Sequence, residues 1–312
     1  MKQQRWLIVG LGALVLLFVA LVGRRVSPGV ANSATSGQPK SSPRRIISLA
    51  PSITEVLFAL GLGDSVVGVT RFCTFPPEAA SKDDVGGYYD PNYEAIAMLK
   101  PDLVVCMPEH EKPREYLAAM GVETLTVSHQ SIAEILASVR TIGAKAGVRN
   151  QAETLVTELE QRIDEAATKT RGLSRPAVLI ALGRDVELDR IEDVYVAGQG
   201  GWYEELVELA GGVNAYDGGL PFPSVSAEGI LSMNPDVIIE VLGDITRTEV
   251  DYEHVGRGWR SLPQVSAVQA KRVHLLHRDF ALIPGPRFVQ ILDEFIRALH
   301  PELIWSDHEI SQ

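Results

Sequence analysis

The chain has little cysteine: its 312 residues carry only Cys73 and Cys106. No cysteine follows the apolar N-terminal run, which excludes a lipid attached there, and none clusters with histidine as a zinc site requires. The seven histidines are scattered; His274 and His277 fall in what reads as a strand and its exit, which is no ordinary zinc spacing. There is no His-Glu-x-x-His, no Gly-x-Ser-x-Gly and no paired cysteine–histidine signature, so the common routes to hydrolysis lack their residues. Positive charge is scarce as well. Five of the 29 basic residues (Lys2, Arg5, Arg24, Arg25 and Lys40) precede residue 44 with no acid among them, which leaves 24 against 40 acids in the body, a formal −16. Phosphate backbones need clustered Lys and Arg, so nucleic acid is excluded as a partner, and small molecules or a basic protein surface remain.

What is present is enough apolar sequence, 46% of residues, for two cores. Trp6 to Gly23 is an unbroken apolar run behind Lys2 and Arg5, long for a signal peptide. Residues 1–25 therefore read as an uncleaved membrane anchor in preference to a cleaved signal, and residues 26–43, rich in Ser, Gly and Pro, as a flexible linker. A 22-residue stretch, Asn150 to Arg171, carries Ala152, Leu155, Val156, Leu159, Ile163, Ala166 and Ala167 at the spacing of one helical face, with Asn150 as N-cap. At about 1.5 Å per residue it makes a rod of roughly 33 Å. Such a rod spans two lobes and implies little hinge motion between them.

The two sides of that rod share a phrase. Glu94-Ala95-Ile96-Ala97-Met98-Leu99-Lys100-Pro101-Asp102 leads into Leu103-Val104-Val105, and Glu228-Gly229-Ile230-Leu231-Ser232-Met233-Asn234-Pro235-Asp236 leads into Val237-Ile238-Ile239, 134 positions later. Each copy predicts a short helix, a Pro-Asp turn and a buried strand. Strands at Arg45–Ala50, Val66–Thr70, Leu103–Cys106 and Glu123–Val127 alternate with helices in residues 44–149, and strands at Ala177–Leu182, Val194–Ala197 and Val273–Leu276 recur in 173–312, with 150–172 as the inter-lobe helix. The fold expected is α/β, two Rossmann-like parallel-sheet lobes with the ligand cleft between them. Ligands in such sheets sit beyond the carboxyl ends of the strands, here Ala50–Ser52, Arg71–Cys73, Met107–Glu109 and Ser128–His129, with Tyr88 and Tyr89 in a loop nearby. Gly198-Gln199-Gly200-Gly201 lacks the Gly-Lys-Ser/Thr ending of a phosphate loop and reads as a tight turn into a helix.

Ile46-Ile47-Ser48-Leu49-Ala50-Pro51-Ser52-Ile53-Thr54-Glu55, then Phe75-Pro76-Pro77-Glu78-Ala79, Lys100-Pro101-Asp102-Leu103-Val104-Val105, Gly211-Gly212-Val213-Asn214 and Pro284-Gly285-Pro286-Arg287, in that order, resemble the substrate-binding proteins of ATP-driven importers for vitamin B12 and ferric siderophores. The resemblance covers about residues 44–301. It implies a monomer outside the cytoplasmic membrane that captures a metal chelate, a corrinoid first and a ferric siderophore or haem as the alternative, and delivers it to a permease dimer with its ATPase subunits. It also implies that Glu94 and Glu228 dock onto arginines of the permease; the alternative is favourable placement of acid in a first helical turn. Aromatic faces from both lobes would hold a flat macrocycle, and the positions that correspond are Phe72, Tyr88, Phe222 and, beside Asp279, Phe280, with Met107 where another ring is expected. Arg71, Arg184 and Arg278 would reach the rim of the cleft, suiting an anionic ligand. No cofactor and no resident metal are expected, and the chain is not expected to be an enzyme. Cys73 and Cys106 both follow first-lobe strands, and a disulfide or two free thiols are both open. A membrane-tethered hydrolase using loop acids such as Asp90, Glu109 or Asp185, or a sensor that kept the fold without the permease, are the rival classes.

Overall fold

The computed structural model describes residues 42–242 and 252–303. The apolar run at Trp6–Gly23 and the linker up to residue 41 lie outside them, and among the described residues no helix is long and apolar enough to cross a membrane. The first lobe runs β1 (Ile46–Ser48), α1 (Pro51–Ala59), β2 (Val66–Val69), β3 (Asp83–Asp84), α2 (Tyr93–Leu99), β4 (Leu103–Cys106), α3 (Glu111–Ala119), β5 (Thr124–Thr126) and α4 (Ile132–Ala146). Its sheet has the order β3-β2-β1-β4-β5 and is parallel throughout. A long helix, α5 (Arg149–Thr170), leads into the second lobe.

There the elements are β6 (Ala177–Gly183), β7 (Asp193–Val196), α6 (Trp202–Leu209), β8 (Val213–Asn214), β9 (Ser224–Ser226), α7 (Ala227–Met233), β10 (Val237–Val241), α8 (Tyr252–Arg260), α9 (Ser266–Gln269), β11 (Val273–Leu276) and α10 (Phe288–Leu299). The order β9-β7-β6-β10-β11 repeats that of the first sheet position for position, with the short β8 also pairing β6. One strand departs from the parallel expectation. β7 runs antiparallel to both β6 and β9, because a parallel return needs a crossover of a dozen or more residues. In the first lobe α1 supplies that crossover. Only residues 184–192 join β6 to β7, and they allow no more than a hairpin-like return.

The repeated phrase has a structural meaning. α2 and α7 both end on a left-handed residue, Lys100 (φ 46°, ψ 60°) and Asn234 (φ 44°, ψ 61°), and both are N-capped by a side chain, Asn92 and Ser226. The aspartate that follows each Pro then clips the central strand of its sheet. Asp102 accepts from the backbone N–H of Arg44 and Arg45 at 2.9 and 3.0 Å, and Asp236 accepts from that of Ala177 at 2.9 Å. In return the N–H of each aspartate donates to the carbonyl of Arg45 or Ala177, both at 2.8 Å. The matched Pro-Asp therefore fixes where β4 lies against β1, and β10 against β6.

α5 buries Ala152, Val156, Leu159 and Ala166, the face expected from spacing. Its N-cap is Val148, with no side-chain cap, so Asn150 lies inside the first turn and does not cap it. Gly143 of α4 lets the two helices approach, since a Cβ there would collide with that of Ala152. One continuous core runs from Ile46 and Ile53 of the first lobe through Val156 and Leu159 to Phe288 and Leu299 of the second. Smaller cores cover the outer faces, around Val104 and Cys106 in the first lobe and around Trp259 and Val194 in the second. Polar ties fasten the lobes to each other and to the spine as well. The Glu205 carboxylate accepts from the Ile132 N–H at the start of α4 at 2.7 Å, and Arg162 of α5 pairs with Asp293 of α10.

Candidate ligand cleft and docking corners

The candidate first-lobe side chains stand past the carboxyl ends of the strands, where β1 and β2 stop at Ser48 and Val69 and the chain turns into α1 and into a loop. On the first-lobe rim Phe72 is 52% exposed and lies 6.0 Å from the Arg71 guanidinium carbon. Arg71 also pairs with Asp90 at 3.4 Å. Tyr88 is half buried, tilted against His110 with centroids 4.6 Å apart and edge-on to Tyr89 at 4.7 Å. Burial, then the nearby Glu109 carboxylate, push the Tyr88 phenol well above its ordinary range. Its neighbour Tyr89 is 82% exposed, the most accessible ring on this rim. Both tyrosines lie in the loop where the sequence places aromatics, and Tyr89, not Tyr88, is the more open of the two.

On the second lobe Phe222 is 57% exposed in the loop before β9. The carbonyls of Pro221 and Pro223 beside it accept from Gly198 and Val196 at 2.8 and 3.0 Å, which holds that loop to the end of β7. Arg278 is half exposed and pairs with Glu294 at 3.1 Å. Gly200 takes φ +78° ahead of α6 and its N–H donates to Glu204 at 2.6 Å, so the glycine cluster is a turn closed by its own carboxylate.

Three expected cleft residues are turned inward. Met107 is buried in the main core, its N–H donating to His110 Nδ1 at 3.0 Å. Arg184 carries a side chain only 2% exposed, paired with Glu240 at 2.8 Å and donating to the Val255 carbonyl at 2.6 Å. Trp259 Nε1–H donates to the same Glu240 at 2.6 Å, so the guanidinium neutralises a carboxylate that β10 carries into the core. Phe280 is buried too. His129, expected on the rim, is likewise enclosed. Ser138 Oγ donates to the Ile135 carbonyl, so it accepts from His129 Nε2–H at 2.7 Å, and Nδ1 accepts from Ser52 at 2.8 Å. Burial holds that imidazole neutral, with a pKa of about 4. Cys73 and Cys106 are free thiols. They lie in different cores, the first against Thr54 and Thr70, the second toward Thr126, so no bridge can form between them.

The residue that joins the lobes at the rim is Arg287. It follows Pro284-Gly285-Pro286 and N-caps α10, and it donates to Glu55 of α1 and to Asp279, each at 2.7 Å. Its guanidinium carbon lies 3.6 Å from the Phe75 ring centre and 5.2 Å from that of Phe280. A Cβ on Gly285 would come within 2.8 Å of Glu55 Oε2, so a larger residue there would push the Glu55 carboxylate from its place. Asp279 is therefore partly spent on Arg287, while the pairing of Glu55 with Arg287, 232 positions apart, follows from no local pattern.

Two mirrored lobes on a helical spine, with aromatic rims at their strand ends, match a known architecture. The model of the periplasmic binding protein family matches residues 46–280. The chain belongs to that family. An ABC transporter substrate-binding lipoprotein of Bacillus subtilis, YvrC, is 29% identical over 268 residues, covering 84% of this chain and 82% of its own. Among solved structures, the vitamin B12 binding protein BtuF of Vibrio cholerae superposes with a TM-score of 0.69 at 28% identity, over 83% of this chain and 98% of that one. The haem-binding protein RhuT of Roseiflexus sp. RS-1 gives 0.69 at 27% identity, over 83% and 98%. The relatives bind substrates for transport and are not enzymes, and this periplasmic binding protein is of the same ABC-importer class.

Proposed function

We propose that the chain captures a flat metal chelate, a corrinoid foremost, at the outer side of the cytoplasmic membrane and hands it to an ABC permease. The observation that carries this reading is the pair of exposed rings, Phe72 on one lobe and Phe222 on the other, with Tyr89 beside the first. Open aromatic faces on both sides of a cleft suit a macrocycle, since each ring offers large apolar area with few rotatable bonds. Arg71, bonded to Asp90 at the rim, adds a cation for a phosphate or carboxylate edge. The likeness to vitamin B12-binding proteins over most of the chain supports the same ligand class.

Haem is the second reading, and Tyr89 favours it: an exposed phenol is a possible axial ligand for ferric iron. Optical titration separates the two. Hemin bound through Tyr89 gives a tyrosinate-type visible spectrum that Tyr89→Phe abolishes, whereas a corrinoid held by ring faces loses little affinity in Tyr89→Phe and much in Phe72→Ala.

Glu94 and Glu228 are the docking residues of this reading. Both stand exposed in the first turn of matched helices, where α2 and α7 leave the carboxyl ends of the edge strands β3 and β9. Residues 6–23, outside the described part, serve as the membrane tether, a role that the B. subtilis relative, named a lipoprotein, gives to lipid. Reversal of both glutamates to arginine should abolish uptake of labelled cobalamin in cells and leave its binding in solution unchanged. Uptake at the unmodified level would remove the docking role.

A further inference from the structure

Neither docking carboxylate has a hydrogen-bond or ion-pair partner among the described residues, although most acids around the cleft are paired. What flanks Glu94 is apolar. On α2 a helical turn of 100° per residue sets Glu94 between Met98 on one side and Tyr93 with Ala97 on the other, since Ile96 points into the core. Met98 is 81% exposed, and the partly buried Tyr93 is tilted against the half-exposed Tyr116 of α3 with centroids 4.2 Å apart. The corresponding wheel on α7 sets Glu228 between Ser232 and Ala227 with Leu231, around the buried Ile230. There Leu231 is the one large apolar neighbour on the open face of the helix, and it is less exposed than Met98.

We infer that the docking surface is an apolar collar around a carboxylate, and that it is unequal: Met98 with the Tyr93–Tyr116 pair around Glu94 is the stronger half, Leu231 beside Glu228 the weaker. This rests on the docking reading above. The occupant is the permease surface, a pair of cationic side chains, each set in apolar surroundings. The reasoning is complementarity. An unpaired carboxylate on an acidic body calls for a cation, and a large exposed methionine and tyrosine pair beside it would exclude water from that ion pair once covered. An ion pair ringed by contacts that exclude water gains strength that a wet rim pair lacks. A thioether also moulds itself to an uneven partner. The repeat relates the two corners, but the substitutions of Ser232 for Met98 and Ala227 for Tyr93 remove most of the collar on the second lobe.

Site-directed photocrosslinking of the full chain in its own cells tests this. Benzoylphenylalanine replaces Met98, Tyr116, Ser232 or, as a remote control, the exposed Glu158 of α5, and the adducts are identified by mass spectrometry. Expected are adducts at positions 98 and 116 with a many-spanning permease subunit, about fivefold or more above the yield at 232, with none at 158. Glu94→Arg with Glu228→Arg should remove them. Met98→Ser with Tyr116→Ser should lower the yield at a probe placed at Ala97 by about tenfold, with the melting temperature unchanged. Equal yields at 98 and 232, or an undiminished yield at 97 in the serine variant, would overturn the unequal collar while leaving the docking glutamates standing. Adducts that survive charge reversal would overturn the docking reading itself.

Discussion

Arg287→Met should destabilise the protein more than any single change at an open rim. The guanidinium it removes is 10% exposed and faces the Glu55 carboxylate, itself 3% exposed, across the junction of the lobes at 2.7 Å. Removing one partner of a buried pair leaves an uncompensated charge and costs about 3–5 kcal/mol. Loss of the cation over Phe75 adds up to about 2 kcal/mol. By contrast Asp279→Asn breaks only the half-exposed arm of the same network, worth about 0–1 kcal/mol. The pH dependence follows from Glu55. Burial raises its pKa above 4.5, and Arg287 opposes that rise. Without Arg287 the folded-state pKa climbs further, so the penalty is full above it and shrinks as falling pH protonates Glu55 in the folded chain. Urea unfolding should therefore give a loss for Arg287→Met that is larger at pH 7.5 than at pH 5 by about 1 kcal/mol or more. The double variant Glu55→Gln with Arg287→Met should regain most of it, because no buried charge is left unpaired. A loss under about 1 kcal/mol that does not change with pH would refute the reasoning.

Other consequences are as direct. His129, neutral in its enclosed site with a pKa of about 4, takes up its proton only on unfolding between pH 6.5 and 4, so stability falls through that window as pH drops; His129→Gln should flatten it in acid-titrated melts. Asp102→Ala and Asp236→Ala each remove a charged acceptor from a central strand and should cost about 1.5–3 kcal/mol in urea unfolding. Cys73 and Cys106, buried with thiol pKa values raised by that burial, should resist alkylation until the chain unfolds, and reductant should leave the melting temperature unchanged. The cross-lobe ties at Glu205 and Arg287 predict overlapping scattering profiles with and without cobalamin; marked compaction would contradict them.

The parts of the fold that depend on local pattern were readable in the sequence. The longer strands, the spine helix within a residue and the duplicated helix–Pro-Asp–strand unit all follow from apolar period and turn chemistry, which act over a few residues; the short β3, β8 and β9 carry too few apolar residues to show. Direction and partnership were less readable. β7 reverses because the preceding loop is short, a clue that length alone could have supplied. The fate of Arg184 could not be read locally: its partner Glu240 arrives from the middle of a strand 56 positions away, in a run otherwise apolar enough to mask one acid. Glu55 and Arg287 were each inside a recognised phrase, yet their pairing is a property of how two lobes close on one spine. Loop position leaves Phe72, Tyr89 and Phe222 in the open but not Met107 and Phe280, since the main core reaches past the strand ends to cover them.

The central claim is that the cleft holds a metal chelate between aromatic faces of the two lobes, and calorimetric titration of the purified protein with cobalamin, cobinamide, hemin and a panel of ferric siderophores tests it most directly. The account predicts saturable one-to-one binding of a corrinoid, weakened about tenfold or more by Phe72→Ala and by Phe222→Ala. Absence of binding across the whole panel, or binding that neither substitution weakens, would contradict it.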